Sequence, residues 1–589
     1  MRRGNGERAS LRFLIPLITY VKKHIVLFLL AVICAMGGTV LTIIGPKQVS
    51  RIADLIAAGL MGNLDIDSVS RIAVSLVIIY AVAWVLSYFQ GFLMTVVTQK
   101  TSYGLRNDII RKINILPLSY FDKTLIGDIL SRVVNDVDTI GQTMTTSVGN
   151  LFQSLTQFLG VLVIMFSICW QLTLVAIAAA MIGFILMVFI MSRSQKFFVR
   201  SQALLGALNG HIEEIYAGHD VVNAYNAQGF EGNKFNNLNE SFTEAVWKSQ
   251  FFGSLMPPIM GFVGNAGYVA VCVVGALMAL NGQITFGVIV AFMIYIRLFT
   301  QPLQQLGQVF TQLQSTAAAS KRVFEFLEEE AMPDDMYLPV RIPFGGAKGD
   351  IEFKHVNFGY NPDKTIIHDF SAFAPAGKKV AIVGPTGAGK TTMVNLLMRF
   401  YEVNSGEITI DGIPISTMRR EEVHALFGMV LQDTWLFEGT IRDNIKYSKE
   451  ASDEKIIQAA KAAGIHHFIM TMPKGYDTIL DENANVSAGQ KQLITIARAM
   501  VEDAPFLILD EATSSVDTRT EELIQNAMDT LMSDRTSFII AHRLSTIKNA
   551  DLILVMKDGD IIEQGNHEEL MAKGGFYADL YNSQFDQLD

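Results

Sequence analysis

The sequence predicts a two-part membrane protein, an all-α domain of six membrane-crossing helices followed by an α/β domain built on a largely parallel sheet. Three observations carry that expectation. Half of the 589 residues are apolar and only 18% are charged, against about 25% in ordinary soluble proteins. Apolar stretches long enough to cross a bilayer, about 20 residues each, recur through the first 320 positions and then stop. Beyond residue 350, short β-branched runs alternate with helical patterns. The same composition excludes intrinsic disorder, a collagen-like chain and a small disulfide scaffold.

The six apolar runs cover about residues 25–44, 72–97, 148–168, 172–191, 252–280 and 286–299. Little more than Cys169, Trp170 and Gln171 separates the third from the fourth, and Asn281-Gly282-Gln283 hinges the last pair. The first run is longer than the apolar core of a cleaved leader and lacks a small-residue cleavage site, so it is expected to remain as a span. Loop charges orient the set. Arg2, Arg3, Arg8, Arg12, Lys22 and Lys23 precede the first run. Lys100, Arg106, Arg111, Lys112 and Lys123 fill the second-to-third connection, and Arg193, Lys196, Arg200, Lys234 and Lys248 the fourth-to-fifth. The two remaining short turns carry no Lys or Arg. The positive-inside bias therefore expects both termini and both long loops on the cytoplasmic side of the cell membrane.

In those long loops the flanking helices must run well past the bilayer before they turn. Around 114–122 and 211–222 the pattern becomes mixed and polar, as expected of short helices lying across the ends of such extensions, elbows able to transmit force. Cys34, Cys169 and Cys272 sit in apolar runs without metal-ligand spacing and read as small buried hydrophobes. A net charge of -10 provides no basic field for nucleic acid.

Residues 321–349, with Glu328-Glu329-Glu330, Asp334-Asp335 and three prolines, read as a linker between a membrane domain at 1–320 and a second domain at 350–589. In that second domain, Gly384-Pro385-Thr386-Gly387-Ala388-Gly389-Lys390-Thr391 fits G-x-x-x-x-G-K-[ST] and falls between a strand at 380–383 and a helix starting near Thr391. This is a phosphate cradle. Small residues let backbone N–H groups close on a β-phosphate at the helix N-terminus, Lys390 neutralises the β/γ oxygens, and Thr391 offers its hydroxyl to Mg²⁺. Gly384, Thr386, Gly387, Gly389 and Thr392 complete the expected phosphate contacts. Downstream, the apolar strand 506–509 ends in Asp510-Glu511. One carboxylate there can hold the Mg²⁺ shell and the next can polarise an attacking water.

The P-loop, then Val486-Ser487-Ala488-Gly489-Gln490, then Asp510-Glu511, resemble the ATP-binding-cassette family in order and spacing. The resemblance implies ATP and Mg²⁺ as ligands and assigns further roles. Tyr360 is similar to the adenine-stacking aromatic, Gln432 in Val430-Leu431-Gln432-Asp433 to the Q-loop residue that senses Mg²⁺, Asp517 to the D-loop aspartate, and His542 to the switch histidine at the γ-phosphate. Glu511, His542, Lys390 and Gln432 become the catalytic set, and Thr391, Gln432 and Asp510 the Mg²⁺ set. Six spans ahead of one cassette resemble a type I (B-family) ABC exporter half-transporter of multidrug type. The elbows then become coupling helices, and Ser487, Gly489 and Gln490 serve ATP bound to a second cassette, so the chain must dimerise. The family signature is usually L-S-G-G-Q, whereas Val486 and Ala488 stand here, with Glu511 intact. That combination resembles the subunit with the complete Walker B glutamate in a heterodimeric bacterial exporter.

Phe89, Phe92, Phe158, Phe166, Phe292, Tyr295 and Phe299 are candidates to line a central cavity suited to hydrophobic or amphipathic cargo. Arg297, an ionisable group in the sixth span, is expected to face a cavity, a partner or the inner interface. A lipid or peptide exporter, or an ATP-gated channel or regulatory protein, shares the same motifs. An importer is disfavoured by the fusion of both parts in one chain, and a DNA-maintenance cassette leaves six spans unexplained.

Overall fold

The computed structural model describes residues 11–59, 65–342, 346–361, 363–432, 434–480, 486–510, 517–540 and 544–585. The chain forms two compact units, one of the segment up to Asn114 with Ile126–Glu329, the other of Ile115–Leu125 with the chain from Glu330 onward.

Among the described residues, the first unit contains six helices long and apolar enough to cross a membrane: α1 Ile25–Gly59, α2 Ile66–Ile115, α3 Ile126–Ile168, α4 Trp170–Ala217, α5 Gln228–Leu280 and α6 Phe286–Glu328. At about 1.5 Å per residue, the 50 residues of α2 extend about 75 Å, more than twice a hydrocarbon core of about 30 Å. The apolar runs are thus the membrane-crossing portions of rods that continue beyond them. Packing centres on α6, whose Ala291, Phe292, Tyr295, Ile296 and Phe299 are buried against Ile43 of α1, Val161 and Met165 of α3, and Leu172 and Ala176 of α4. Phe158 stacks on Phe299 with ring centroids 5.0 Å apart, and the Tyr295 hydroxyl donates to the Ile43 carbonyl at 3.1 Å. Close van der Waals contact with a few interhelical hydrogen bonds is what holds helices together in lipid.

Three expectations change here. Phe292, Tyr295 and Phe299 are helix-packing residues rather than cavity lining in this chain, whereas Phe89, Phe92 and Phe166 remain exposed. Residues 321–328 belong to α6 and not to the linker, because Val323 and Phe326 are buried and Lys321 pairs with Glu325 one turn on, at 3.6 Å. Polar composition there marks a helix that has left the apolar layer without ending. The second elbow is His219–Ala224, later than expected, since α4 continues through Ala217 and buries His211 inside it. The first elbow, Leu118–Phe121, packs within the second unit, where Asp122 accepts a hydrogen bond from the Tyr401 hydroxyl.

Among the described residues, the second unit contains two main sheets and a short two-stranded ladder of Gly439–Thr440 with Ile479–Leu480. β1 Ile351–Phe358, β2 Ile367–Ala374 and β4 Ser405–Ile410 form an antiparallel layer in the order β2-β1-β4. The central sheet comprises β3 Lys379–Val383, β5 Phe427–Val430, β6 Phe506–Asp510, β7 Thr536–Ile540, β8 Leu552–Lys557 and β9 Asp560–Gly565. Its order is β9-β8-β3-β7-β6-β5, parallel except for the β8–β9 pair. Parallel strands buried on both faces require continuous apolar runs rather than alternation. Phe506-Leu507-Ile508-Leu509 and Ser537-Phe538-Ile539-Ile540 are accordingly buried throughout.

Candidate active site

In an open parallel sheet, ligands bind beyond the carboxyl ends of the strands. The register brings those ends together: Ile540 pairs with Asp510 and with Ile382, and Val430 with Leu509. The loops leaving β3, β5, β6 and β7 therefore start at one edge, which places Gly384–Lys390, Gln432 and Asp510 on the same side of the sheet.

The cradle is built by backbone geometry. Gly387 and Gly389 adopt φ of +87° and +100°, a left-handed region that costs an L side chain roughly 1–2 kcal/mol. A Cβ on Gly384 would collide with the Met556 carbonyl oxygen, so the loop comes as close to β8 as a chain without a side chain can. From this loop starts α7, Lys390–Leu397, whose N-cap Gly389 provides no side-chain cap. The first-turn N–H groups are thus left to an anion, the arrangement that binds phosphate. The Lys390 ammonium donates to the Gly384 and Pro385 carbonyls at 2.7 and 3.1 Å. Partial burial holds it below the ordinary lysine value, with the Asp510 charge acting in the opposite sense.

At the next two positions the helix separates roles. Thr391 is exposed, while Thr392 is buried. The Thr392 hydroxyl accepts from Tyr360 at 3.3 Å, so what Thr392 has to offer a phosphate is its backbone N–H. Tyr360 also accepts from Asn395 at 3.2 Å and meets Tyr401 edge to face with centroids 4.9 Å apart. Desolvation and the Asp122 hydrogen bond raise the Tyr401 hydroxyl well above the usual tyrosine value. Tyr401, Asn395, Met556 and Asp122 were not among the residues anticipated. Only Tyr401, an aromatic just past α7, leaves any trace in the sequence.

Mg²⁺ fits the donors present. A hydroxyl (Thr391), an amide (Gln432) and a carboxylate (Asp510) are hard oxygen ligands, and Mg²⁺ is usually held by one or two carboxylates together with substrate phosphates. Among the described residues no group of three His, Cys, Asp or Glu gathers as a self-sufficient metal site, in keeping with that habit. Glu511 and His542 lie outside the described residues.

The signature segment opens α8, Ala488–Glu502, with Ser487 as its N-cap. The Ser487 hydroxyl accepts from the Gln490 N–H at 3.3 Å, and Gln490 Oε1 accepts from the Ser487 N–H at 2.9 Å. This reciprocal pair is a capping box. It gives the Gln490 side chain a structural partner within its own helix. Ser487 and Ala488 are exposed and Gly489 is buried. Asp517 similarly caps helix Thr518–Leu531, accepting from the Thr520 N–H at 3.0 Å, and hydrogen bonds from the Thr520 side chain and backbone hold its carboxyl below the usual range.

A P-loop at the carboxyl edge of a parallel sheet, in one chain with six membrane-length helices, defines a membrane-bound nucleotide-hydrolysing machine. Comparison with known proteins narrows the class. Residues 28–303 match the family model described as ABC transporter transmembrane region, and residues 367–514 the one described as ABC transporter. A fatty acid ABC transporter ATP-binding/permease protein of Mycobacterium bovis is 46% identical over 88% of this chain and 82% of its own. An ATP-dependent lipid A-core flippase of Syntrophus aciditrophicus is 34% identical over 97% and 94%. The solved structure of a bacterial Atm1-family ABC exporter with ATP bound superposes with a TM-score of 0.75 at 27% identity, covering 96% of this chain and 98% of that one. The chain belongs to the ABC transporters, as an exporter half-transporter whose membrane domain and cassette share one polypeptide. It is a multi-pass membrane protein with ATPase activity coupled to transport, and ABC exporters function as dimers in the bilayer.

Proposed function

We propose that this chain exports hydrophobic or amphipathic compounds from the cytoplasmic side of the cell membrane by alternating access, as one subunit of a heterodimer. The observation that carries the reading is the uncapped P-loop helix, with Lys390 at its first position, on a chain whose other phosphate-facing group, Ser487, opens a different helix outward. Lys390, Gly384, Thr386, Gly387, Gly389, Thr391 and Thr392 hold the phosphates, and Tyr360 stacks on the adenine. Thr391, Gln432 and Asp510 would hold Mg²⁺, which when bound would supply charge neutralisation for the phosphates. Glu511 orients and polarises the attacking water, and His542 contacts the γ-phosphate. Ser487, Gly489 and Gln490 face the nucleotide of the partner cassette, with Asp517 beside them.

Ala488 favours two unlike subunits. Its methyl is exposed at the helix end that would lie against the partner's γ-phosphate, where the usual glycine leaves room. Closing the cassettes around nucleotide would drive the elbows and turn the cavity outward. Cargo is released only if the two states bind it with different affinity. The relatives named as a fatty acid transporter and a lipid A-core flippase support including lipids alongside drug-like compounds in this proposal.

The test is steady-state ATP turnover of the chain purified alone and co-purified with a second half-transporter. Glu511→Gln in the pair should reduce turnover at least about 100-fold while leaving ATP binding intact, a loss of roughly 3 kcal/mol in transition-state stabilisation. Undiminished turnover overturns the assignment of Glu511, and full activity of the lone chain overturns the heterodimer.

A further inference from the structure

The six apolar runs, 25–44, 72–97, 148–168, 172–191, 252–280 and 286–299, contain a single Lys, Arg, Asp or Glu between them, Arg297. It stands eleven residues beyond Phe286, the start of α6. That is about 16 Å along the axis, roughly half of a hydrocarbon core of about 30 Å. The neighbouring α6 residues Phe292, Tyr295, Ile296 and Phe299 are buried in the helix-packing core, and Arg297 is turned away from it to an exposed position. Among the described residues its guanidinium has no ion pair or hydrogen bond and lies over the ring of Tyr268 on α5, 5.9 Å from the centroid. A tyrosine face attracts a cation but does not neutralise it.

A guanidinium keeps its charge in protein surroundings. At that depth a charge is expensive unless it meets a counter-charge or a watered cavity. Asp54, near the end of α1, is already engaged at the start of α6: its carboxylate accepts from the Gly287 N–H at 2.6 Å and from the Thr285 hydroxyl at 2.9 Å. That contact sits at the start of α6, ten residues before Arg297. The six runs of this chain contain no acid to pair with it.

We propose that Arg297 recognises the oxyanion headgroup of an amphipathic cargo, a carboxylate or a phosphate monoester carrying an apolar tail. The assignment rests on the exporter reading above and narrows its cargo. The planar fork of arginine pairs with two oxygens of either headgroup, while the apolar runs around it suit the tail.

The test uses the full-length dimer in phosphatidylcholine nanodiscs and reads the half-maximal concentration for stimulating ATP turnover. The probes are hexadecanoate, hexadecyl phosphate and uncharged hexadecanol, the first two arms separating carboxylate from phosphate recognition. Wild type is expected to prefer one or both anions over hexadecanol by at least about tenfold, in line with a charge-assisted hydrogen bond. R297Q should bring that ratio close to one, and R297K, which keeps the charge but not the fork, should restore part of it. An R297Q dimer that keeps the wild-type preference, or an R297K dimer that restores none of it, overturns the proposal. Turnover that depends on Glu511 yet ignores both anions in the wild type overturns the headgroup assignment and leaves the exporter reading standing. Absence of ATP turnover removes both.

Discussion

Two helices of the cassette, α7 and α8, both open toward phosphate chemistry, and they open in opposite ways. α7 begins on Gly389, in a left-handed conformation, with no side chain to cap it. α8 begins on Ser487 inside a complete capping box with Gln490. The first end is unsatisfied without a ligand, and its lysine meanwhile bonds its own loop carbonyls. The second is satisfied by its own residues and needs no nucleotide to stay folded. On the proposed reading, the uncapped end belongs to the resident site of the chain, and the self-capped, exposed one waits in water until a nucleotide arrives on another subunit. The contrast gives a structural reason for the division of labour within a dimer.

Breaking the α7 side should have the largest effect. Lys390→Ala removes the charge-assisted hydrogen bonds to phosphate, worth about 1.5–3 kcal/mol, and should weaken ATP binding about 10- to 100-fold in a nucleotide-binding titration. Gly389→Ala comes next. Its new Cβ would sit 2.7 Å from Ile367 Cδ1 at φ +100°, and left-handed strain of about 1–3 kcal/mol should lower the thermal unfolding midpoint of the nucleotide-free chain. Ser487→Ala deletes a cap and should cost about 1 kcal/mol of stability without weakening ATP binding by the same chain, which sharpens the contrast with α7. Tyr360→Phe is the mildest. It removes one hydroxyl shared with Thr392 and Asn395 and keeps the ring, so ATP affinity measured by the same titration should fall by less than about fivefold, a loss below roughly 1 kcal/mol.

Much of this site was legible because its chemistry is local. The P-loop needs glycines at fixed spacing whatever surrounds it, and Asp510 needs only to end an apolar strand. The capping box is also readable, since serine followed three residues later by glutamine is its pattern. What could not be read is non-local. No periodicity announces that Tyr360 would be wedged between Thr392 and Tyr401, or that Asp122 on the first elbow would accept from Tyr401. In the membrane unit, Phe292, Tyr295 and Phe299 carry the same apolar signal whether they face a cavity or a neighbouring helix, and they face a helix. Residues 321–328 looked like linker because charge replaced hydrophobicity, yet Val323 and Phe326 keep one face of α6 buried.

The division between the two helix ends is tested most directly by comparing Lys390→Ala and Ser487→Ala in the full-length chain, held dilute enough in detergent to remain unassembled, by equilibrium titration with a fluorescent ATP analogue. The expected result is an affinity reduced about 10- to 100-fold for Lys390→Ala and within about twofold of wild type for Ser487→Ala, a difference under roughly 0.5 kcal/mol. Equal losses in the two variants would place the signature serine in its own chain's site and contradict the account.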